Sequence, residues 1–166
     1  PLDGGHLLPA GRLREKPDAL RRADVVVFNG ADTRAALDAA RDRVAHWLRA
    51  DAIVAGMARR VTLVAADGSS SAAPRRLLAV SAIARPAAFE QSLAAAGIEV
   101  AGHVIRRDHH RYDAEDARAI DQLASREGLD VVTTEKDWVK LRGRGLSSRV
   151  WVARLEVSLH GDPLPV

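Results

Sequence analysis

The stretch IEVAGHVIRRDHHRYDAEDARAIDQLASREG, residues 98–128, decides the fold. Its first part, Ile98 to Ile105, carries Val100 and Val104 on an apolar run interrupted at Gly102 and His103, which predicts a strand. Its last part predicts a helix. Asp113 stands at an N-cap, Glu115 and Asp116 in the first turn suit the positive end of the helix dipole, and Gly128 suits the stop. Between cap and stop, Ala117, Ile120, Leu123 and Ala124 recur at the spacing of one buried stripe. The hexapeptide Arg107-Asp108-His109-His110-Arg111-Tyr112 therefore falls in a strand-to-helix loop. That places it at the carboxyl end of a strand, the edge where open α/β sheets bind ligands.

The same alternation extends along the chain. Val25-Val26-Val27-Phe28 is a continuous β-branched and aromatic run of the kind buried on both faces of a sheet, and Asn29-Gly30 ends it. Asp32 is the expected cap of a long helix with Leu37, Ala40, Val44, Trp47 and Leu48 on one stripe. Ala52 to Ala66 supplies one or two strands, Val61 to Val64 being the better candidate. Residues 67–76 open with Asp67-Gly68-Ser69-Ser70-Ser71, a small-residue linker at which a boundary is expected. Beyond it come a strand from Leu77 to Val80 and a helix opened by Pro86 with Phe89, Leu93 and Ala96 on its stripe. After the quoted stretch come a strand from Leu129 to Thr133, then a short helix capped by Thr134 with Trp138, Val139 and Leu141 facing inward. A strand from Arg149 to Val157 closes the series. Strands alternating with helices predict an α/β fold with a mainly parallel sheet and helices on both faces. The loops after three parallel strands then gather Arg85, Asp108, His109, His110, Thr133, Thr134 and Lys136 at one edge.

Composition narrows the function classes. A chain of 166 residues with 47% hydrophobic residues can bury its own core. The 25 basic and 22 acidic residues leave a net charge of +3, too small an excess for a nucleic-acid footprint. The absence of cysteine removes disulfides, thiolate nucleophiles and cysteine metal sites. No apolar run approaches the roughly 18–20 residues that span a bilayer. No Gly-x-Ser-x-Gly elbow and no Gly-x-x-x-x-Gly-Lys-Ser/Thr phosphate loop occurs. Pro1 to His6 reads as the exit of an element, so the chain is expected to be part of a longer one. An aspartate beside a histidine in a loop suits an oriented general base. Arg14 and Glu15, in a loop bounded by glycines and Pro17, read either as a solvated surface pair or as groups facing phosphate and its metal ion.

Five motifs in order carry a family resemblance. They are Leu8-Pro9-Ala10-Gly11-x-Leu13-Arg14-Glu15; Arg22-Ala23-Asp24 with the valine strand and Asn29-Gly30; Ala84-Arg85-Pro86-x-x-Phe89; Asp108-His109-His110-x-Tyr112; and Thr133-Thr134-Glu135-Lys136-Asp137-x-Val139-Lys140-Leu141. The set resembles tetraacyldisaccharide 4'-kinase, the lipid A 4'-kinase family, over nearly the whole chain.

The resemblance implies a fold similar to P-loop NTPases and ATP-dependent phosphorylation of the 4'-hydroxyl of a lipid A disaccharide precursor. The setting it implies is the membrane surface at the cytoplasmic face of the bacterial inner membrane, with ATP and Mg as nucleotide and cofactor. The family's phosphate loop has no counterpart in this sequence. Residues 1–66 would be the remainder of an amino-terminal kinase lobe and residues 77–166 a carboxyl-terminal lobe. His109 would help activate the sugar hydroxyl, paired with an upstream aspartate, and Asp108 would orient the loop. Arg14, Glu15, His110 and Arg85 would meet substrate or phosphate, with Glu15 a magnesium ligand. Arg106 and Arg107 depart from the family pattern, which more commonly has Phe-Pro there, and by their charge could meet lipid phosphate or an anionic membrane. The other class of reading is a non-catalytic α/β module that binds an anionic ligand or a protein partner.

Overall fold

The computed structural model describes residues 5–163. The expected element exit at Pro1 to Gly4 lies outside the described residues. The chain divides into two compact units, one running through Arg59 and taking up the chain again from Val157, the other running from Arg60 to Glu156. The 67–76 segment lies inside the second unit.

In the first unit, a loop from Leu7 to Leu13 closes on itself by a bridge between those two residues, and a side chain at Gly11 would stand 2.3 Å from the His6 carbonyl. Pro17 opens a 3-10 turn, Pro17–Arg22. Strand β1, Val25–Asn29, pairs in parallel with β2, Ile53–Ala65, from Val25 opposite Ile53 to Asn29 opposite Met57. The valine run is covered on one face only. Val26 and Phe28 join the core, whereas Val25 and Val27 stay exposed, Val27 by 44%. Helix α1, Arg34–Asp42, is shorter than expected, and its cap is Thr33, whose Oγ1 accepts from the Ala36 N–H at 3.2 Å. Val44 leaves helical geometry at φ −120°, ψ 4° and is buried, and Trp47 follows in a 3-10 turn packed on the same core. Tertiary burial thus overrides the helical spacing. At the end of the chain, Asp162 accepts from Val54 N–H through its carboxylate and donates its own N–H to the Val54 carbonyl.

In the second unit, β3 (Arg76–Ser81), β4 (Glu99–Ile105), β5 (Asp130–Thr134) and β6 (Val150–Gly161, here through Glu156) lie in the order β4-β3-β5-β6. Each adjacent pair is parallel. Alternation along β3 sends Leu78 and Val80 to one face and Leu77 and Ala79 to the other. Helix α2, Pro86–Ala95, covers the second face with Phe89 and Leu93, while Ala96 is exposed. Helices α3, Ala114–Glu127, and α4, Glu135–Leu141, cover the first with Ile120, Ala124 and Leu141. Val139 points outward, against expectation, because Asp137 and Leu141 take the buried side of that short helix. Helix α3 keeps its expected signals, a reciprocal capping box between Asp113 and Asp116 and a left-handed Gly128 at φ 63°.

The turn into β6 is held by Asp121, which accepts from the N–H and hydroxyl groups of both Ser147 and Ser148. Burial pushes its carboxyl up, but these bonds outweigh it and hold the group below the ordinary value. A depressed carboxyl stabilises the fold above the unfolded-state pKa of about 3.9, and that contribution is lost as pH falls through the lower folded-state value. Asp121→Asn is therefore expected to be less stable than wild type at neutral pH and to lose less on acidification. Urea unfolding at neutral and acid pH reads both effects.

Candidate functional site

Chain order fixes where a site can form in the second unit. From β3 the chain steps outward to β4 and then returns across β3 to β5, so β3 and β5 are adjacent strands whose connections leave for opposite faces. Their carboxyl ends form the switch point at which doubly wound sheets open a crevice. Here that crevice is filled by Asp137. Its side chain is fully buried, and Oδ2 accepts from Ala82 N–H and Thr134 Oγ1, both at 2.9 Å. Thr134 Oγ1 in turn accepts from Asp137 N–H, so cap and carboxylate hold each other. Oδ1 has no hydrogen bond, and Lys140 Nζ stands 3.5 Å away, buried and also without one. Thr133 is likewise committed, its hydroxyl donating to the Val80 carbonyl.

The exposed chemistry sits one strand over, in the loop after β4. Asp108 Oδ1 accepts from Lys136 Nζ at 2.7 Å and from His109 N–H at 2.9 Å. His109 has φ 64° and is the one residue other than glycine with positive φ among the described residues. Left-handed geometry costs a residue with a Cβ about 1 kcal/mol or more, and such strain gathers at functional sites. Its ring is 80% exposed, with Nε2 3.8 Å from Asp108 Oδ2, too far for a hydrogen bond.

His110 is turned the other way. Its Nε2 shares a 2.6 Å hydrogen bond with Asp116 Oδ2, its ring meets Tyr112 edge-on, and Arg106 Nε donates to Asp116 Oδ1 at 3.0 Å. Burial raises the Asp116 carboxyl, but the bonds from His110 and Arg106 carry it below the ordinary value. Of the two adjacent histidines, one is tied to the helix cap and the other is open to a ligand. Arg106, expected to face lipid phosphate, is engaged in that ion pair.

The Asp108 carboxyl is lowered, first by the Lys136 hydrogen bond. It is thus ionised at neutral pH and can stabilise an imidazolium on His109. Lys136→Met is expected to bring the Asp108 pKa back toward its ordinary value while the Asp116 titration stays in place. Carboxyl-carbon NMR titration of the variant reads both groups.

The structure brings Asp108, His109 and Lys136 together and places His110 behind them. Arg85 is the exposed N-cap residue of α2. Arg14 and Glu15 belong to the first unit, where Glu15 pairs with Arg22. A magnesium ion takes near-octahedral oxygen ligands. One exposed carboxylate paired to an arginine does not make such a site, and no cluster of three or more histidine and carboxylate groups fit for a metal occurs among the described residues. No helix among them is long and apolar enough to cross a membrane.

The sequence does not show the contacts of Asp116, Asp137 and Lys140, nor a partly buried chain in which Ser81 Oγ meets His103 Nε2 at 2.8 Å and His103 Nδ1 meets the half-exposed Glu90 Oε1 at 2.5 Å. The place of Asp137 three residues after the Thr134 cap, a variant of the capping box, is legible in the sequence, but its burial at the switch point is not. Nor is the serine–histidine–glutamate chain, because it needs the β3–β4 register. Ser81 is fully buried, so no substrate reaches its hydroxyl and the chain is structural.

Similarity to known proteins extends over nearly the whole chain. The family model described as "LpxK: Tetraacyldisaccharide-1-P 4'-kinase" matches residues 1–164. A tetraacyldisaccharide 4'-kinase of Geobacter metallireducens is 39% identical over 173 residues, covering 100% of this chain and 48% of that protein. One from Anaeromyxobacter sp. is 35% identical over 169 residues, covering 96% and 45%. Among solved structures, LpxK from Aquifex aeolicus, an "apo" form in complex with ATP, aligns with a TM-score of 0.61 at 25% identity. It covers 95% of this chain and 45% of that one. The chain thus spans under half the length of these relatives.

Proposed function

Because the chain belongs to the tetraacyldisaccharide 4'-kinase family, we propose that it supplies the acceptor side of a kinase acting on the 4'-hydroxyl of tetraacyldisaccharide 1-phosphate, a lipid A precursor. The observation that carries this reading is His109: an exposed ring on a left-handed backbone, beside an ionised Asp108 that Lys136 holds in place. In the reaction the 4'-oxygen bonds to the γ-phosphorus of ATP, the bond from that phosphorus to the ADP oxygen breaks, and the hydroxyl proton passes to the imidazole of His109. Asp108 favours the imidazolium so formed, while Lys136 keeps Asp108 on its own side of the loop.

Residues 1–66 belong, in this reading, to the nucleotide lobe and 77–166 to the acceptor lobe. Magnesium bound with ATP would supply charge neutralisation for the transferring group. In a protein of the relatives' length both would be held mainly by residues outside this sequence, with Arg14 directed to the phosphates and Arg85 to the acceptor, while Glu15 stays paired to Arg22. Reaction then occurs where the lipid substrate lies, at the cytoplasmic face of the inner membrane.

Reading the coding DNA upstream of Pro1 tests the assignment. An in-frame Gly-x-x-x-x-Gly-Lys-Ser/Thr followed by an acidic pair is the expected result. A start codon immediately before Pro1 would remove the kinase reading and leave a non-catalytic ligand-binding module.

A further inference from the structure

A second feature of the same unit adjoins Tyr112. A surface depression of about 350 Å³ is lined by Arg111, Tyr112, Val139, Lys140 and Arg144. Three of its five residues are cations and none is a carboxylate. Tyr112 is only 2% exposed, and its hydroxyl is buried without a hydrogen-bond partner, although a buried phenol normally finds one. Lys140 Nζ is buried in the same condition, held only loosely by Asp137 Oδ1 at 3.5 Å. Among the described residues Arg111 has no ion pair, and the Arg144 side chain makes only a 3.4 Å bond to the Lys140 carbonyl.

We propose that Arg111, Tyr112, Lys140 and Arg144 form a binding site for a phosphate monoester dianion. Charge decides the ligand class. Of the carboxylates near Tyr112, Asp116 is taken up by Arg106 and His110, so the three cations are set against Asp137 and leave an excess of two positive charges, which a dianion neutralises. Geometry supports it, because two guanidinium groups can fork onto phosphate oxygens while Lys140, on a flexible stem, can turn from Asp137 toward the ligand. The Tyr112 hydroxyl completes the donor set. Burial first, then the charges of Asp137 and Asp116, push its pKa far up, so it stays protonated and donates. Val139, exposed at the rim, offers an apolar wall to whatever carries the phosphate. The site stands on this pocket alone and does not need the kinase reading.

The test follows the backbone and arginine side-chain N–H signals of the 166-residue chain by NMR. One arm adds inorganic phosphate or glucosamine 1-phosphate; another adds phosphatidylcholine vesicles doped with phosphatidic acid. Saturable shifts at Arg111 and Arg144 with a Kd of about 1 mM or tighter are expected. Arg111→Gln and Arg144→Gln, both at exposed positions, are each expected to weaken binding about tenfold, and Lys140→Met at least as much. Preference for the soluble sugar phosphate assigns the site to a free ligand and preference for the vesicles to a lipid headgroup; either supports the proposal. No saturable binding in any arm, or binding that both arginine variants leave unchanged, overturns it and leaves the assignment of His109 untouched.

Discussion

Asp137→Ala is expected to destabilise the second unit by about 3–5 kcal/mol, the range for removing one partner of a buried ion pair. Three groups lose what they lean on: Ala82 N–H and Thr134 Oγ1 lose their acceptor, and Lys140 Nζ keeps its charge with no counter-ion. The first two sit at the ends of β3 and β5, so the loss falls on the switch point of the sheet. For a domain of this size the shift in Tm is about 10 °C or more. Asp137→Asn keeps an acceptor for Ala82 but sets a neutral amide beside Lys140, and should fall between wild type and alanine. Adding Lys140→Met to Asp137→Ala should recover part of the loss, because the stranded cation goes with its partner. Thermal unfolding of the two single variants and the double variant reads that coupling. Additive losses would mean that the lysine does not sense the carboxylate.

The largest effect on activity is expected at His109. Alanine there removes the proton acceptor, and general-base loss lowers rates by about a hundred- to ten-thousand-fold. The backbone separates chemistry from structure. With φ at 64°, alanine bears the left-handed strain while asparagine and glycine tolerate it. If the histidine served only to hold the loop, glycine and asparagine would restore turnover. If it takes a proton, neither does, and all three variants bind nucleotide as wild type does. His110→Ala should behave differently, loosening the Asp116 cap and lowering stability more than turnover.

The α/β architecture was legible because its signals are local. Asp113, Gly128, Pro86 and Thr134 act within a turn of their own helices, and each stands where the sequence put it. Misreadings arose where distant packing outweighed local preference. Val44 breaks from α1 to reach the core, β1 buries alternate residues although its whole run is apolar, and Val139 yields the inward position to Asp137. The site divides in the same way. The Asp108–His109 loop could be read from residue types at a strand end, but its pairing with Lys136 depends on the placement of α4 beside the loop after β4. The left-handed backbone of His109 has no sequence mark. The switch-point carboxylate needs the β3–β5 adjacency before Asp137 and Ala82 can be seen to meet.

The measurement that bears most directly on the kinase assignment compares wild type with His109→Ala in the protein extended to the length of its relatives, supplied with ATP, magnesium and tetraacyldisaccharide 1-phosphate. If His109 takes the proton, the wild type forms the 4'-phosphorylated product in an ATP-dependent way, and the variant turns over at least about a hundredfold more slowly with nucleotide affinity unchanged. Equal turnover by the two proteins would contradict that role and take His109 out of the reaction.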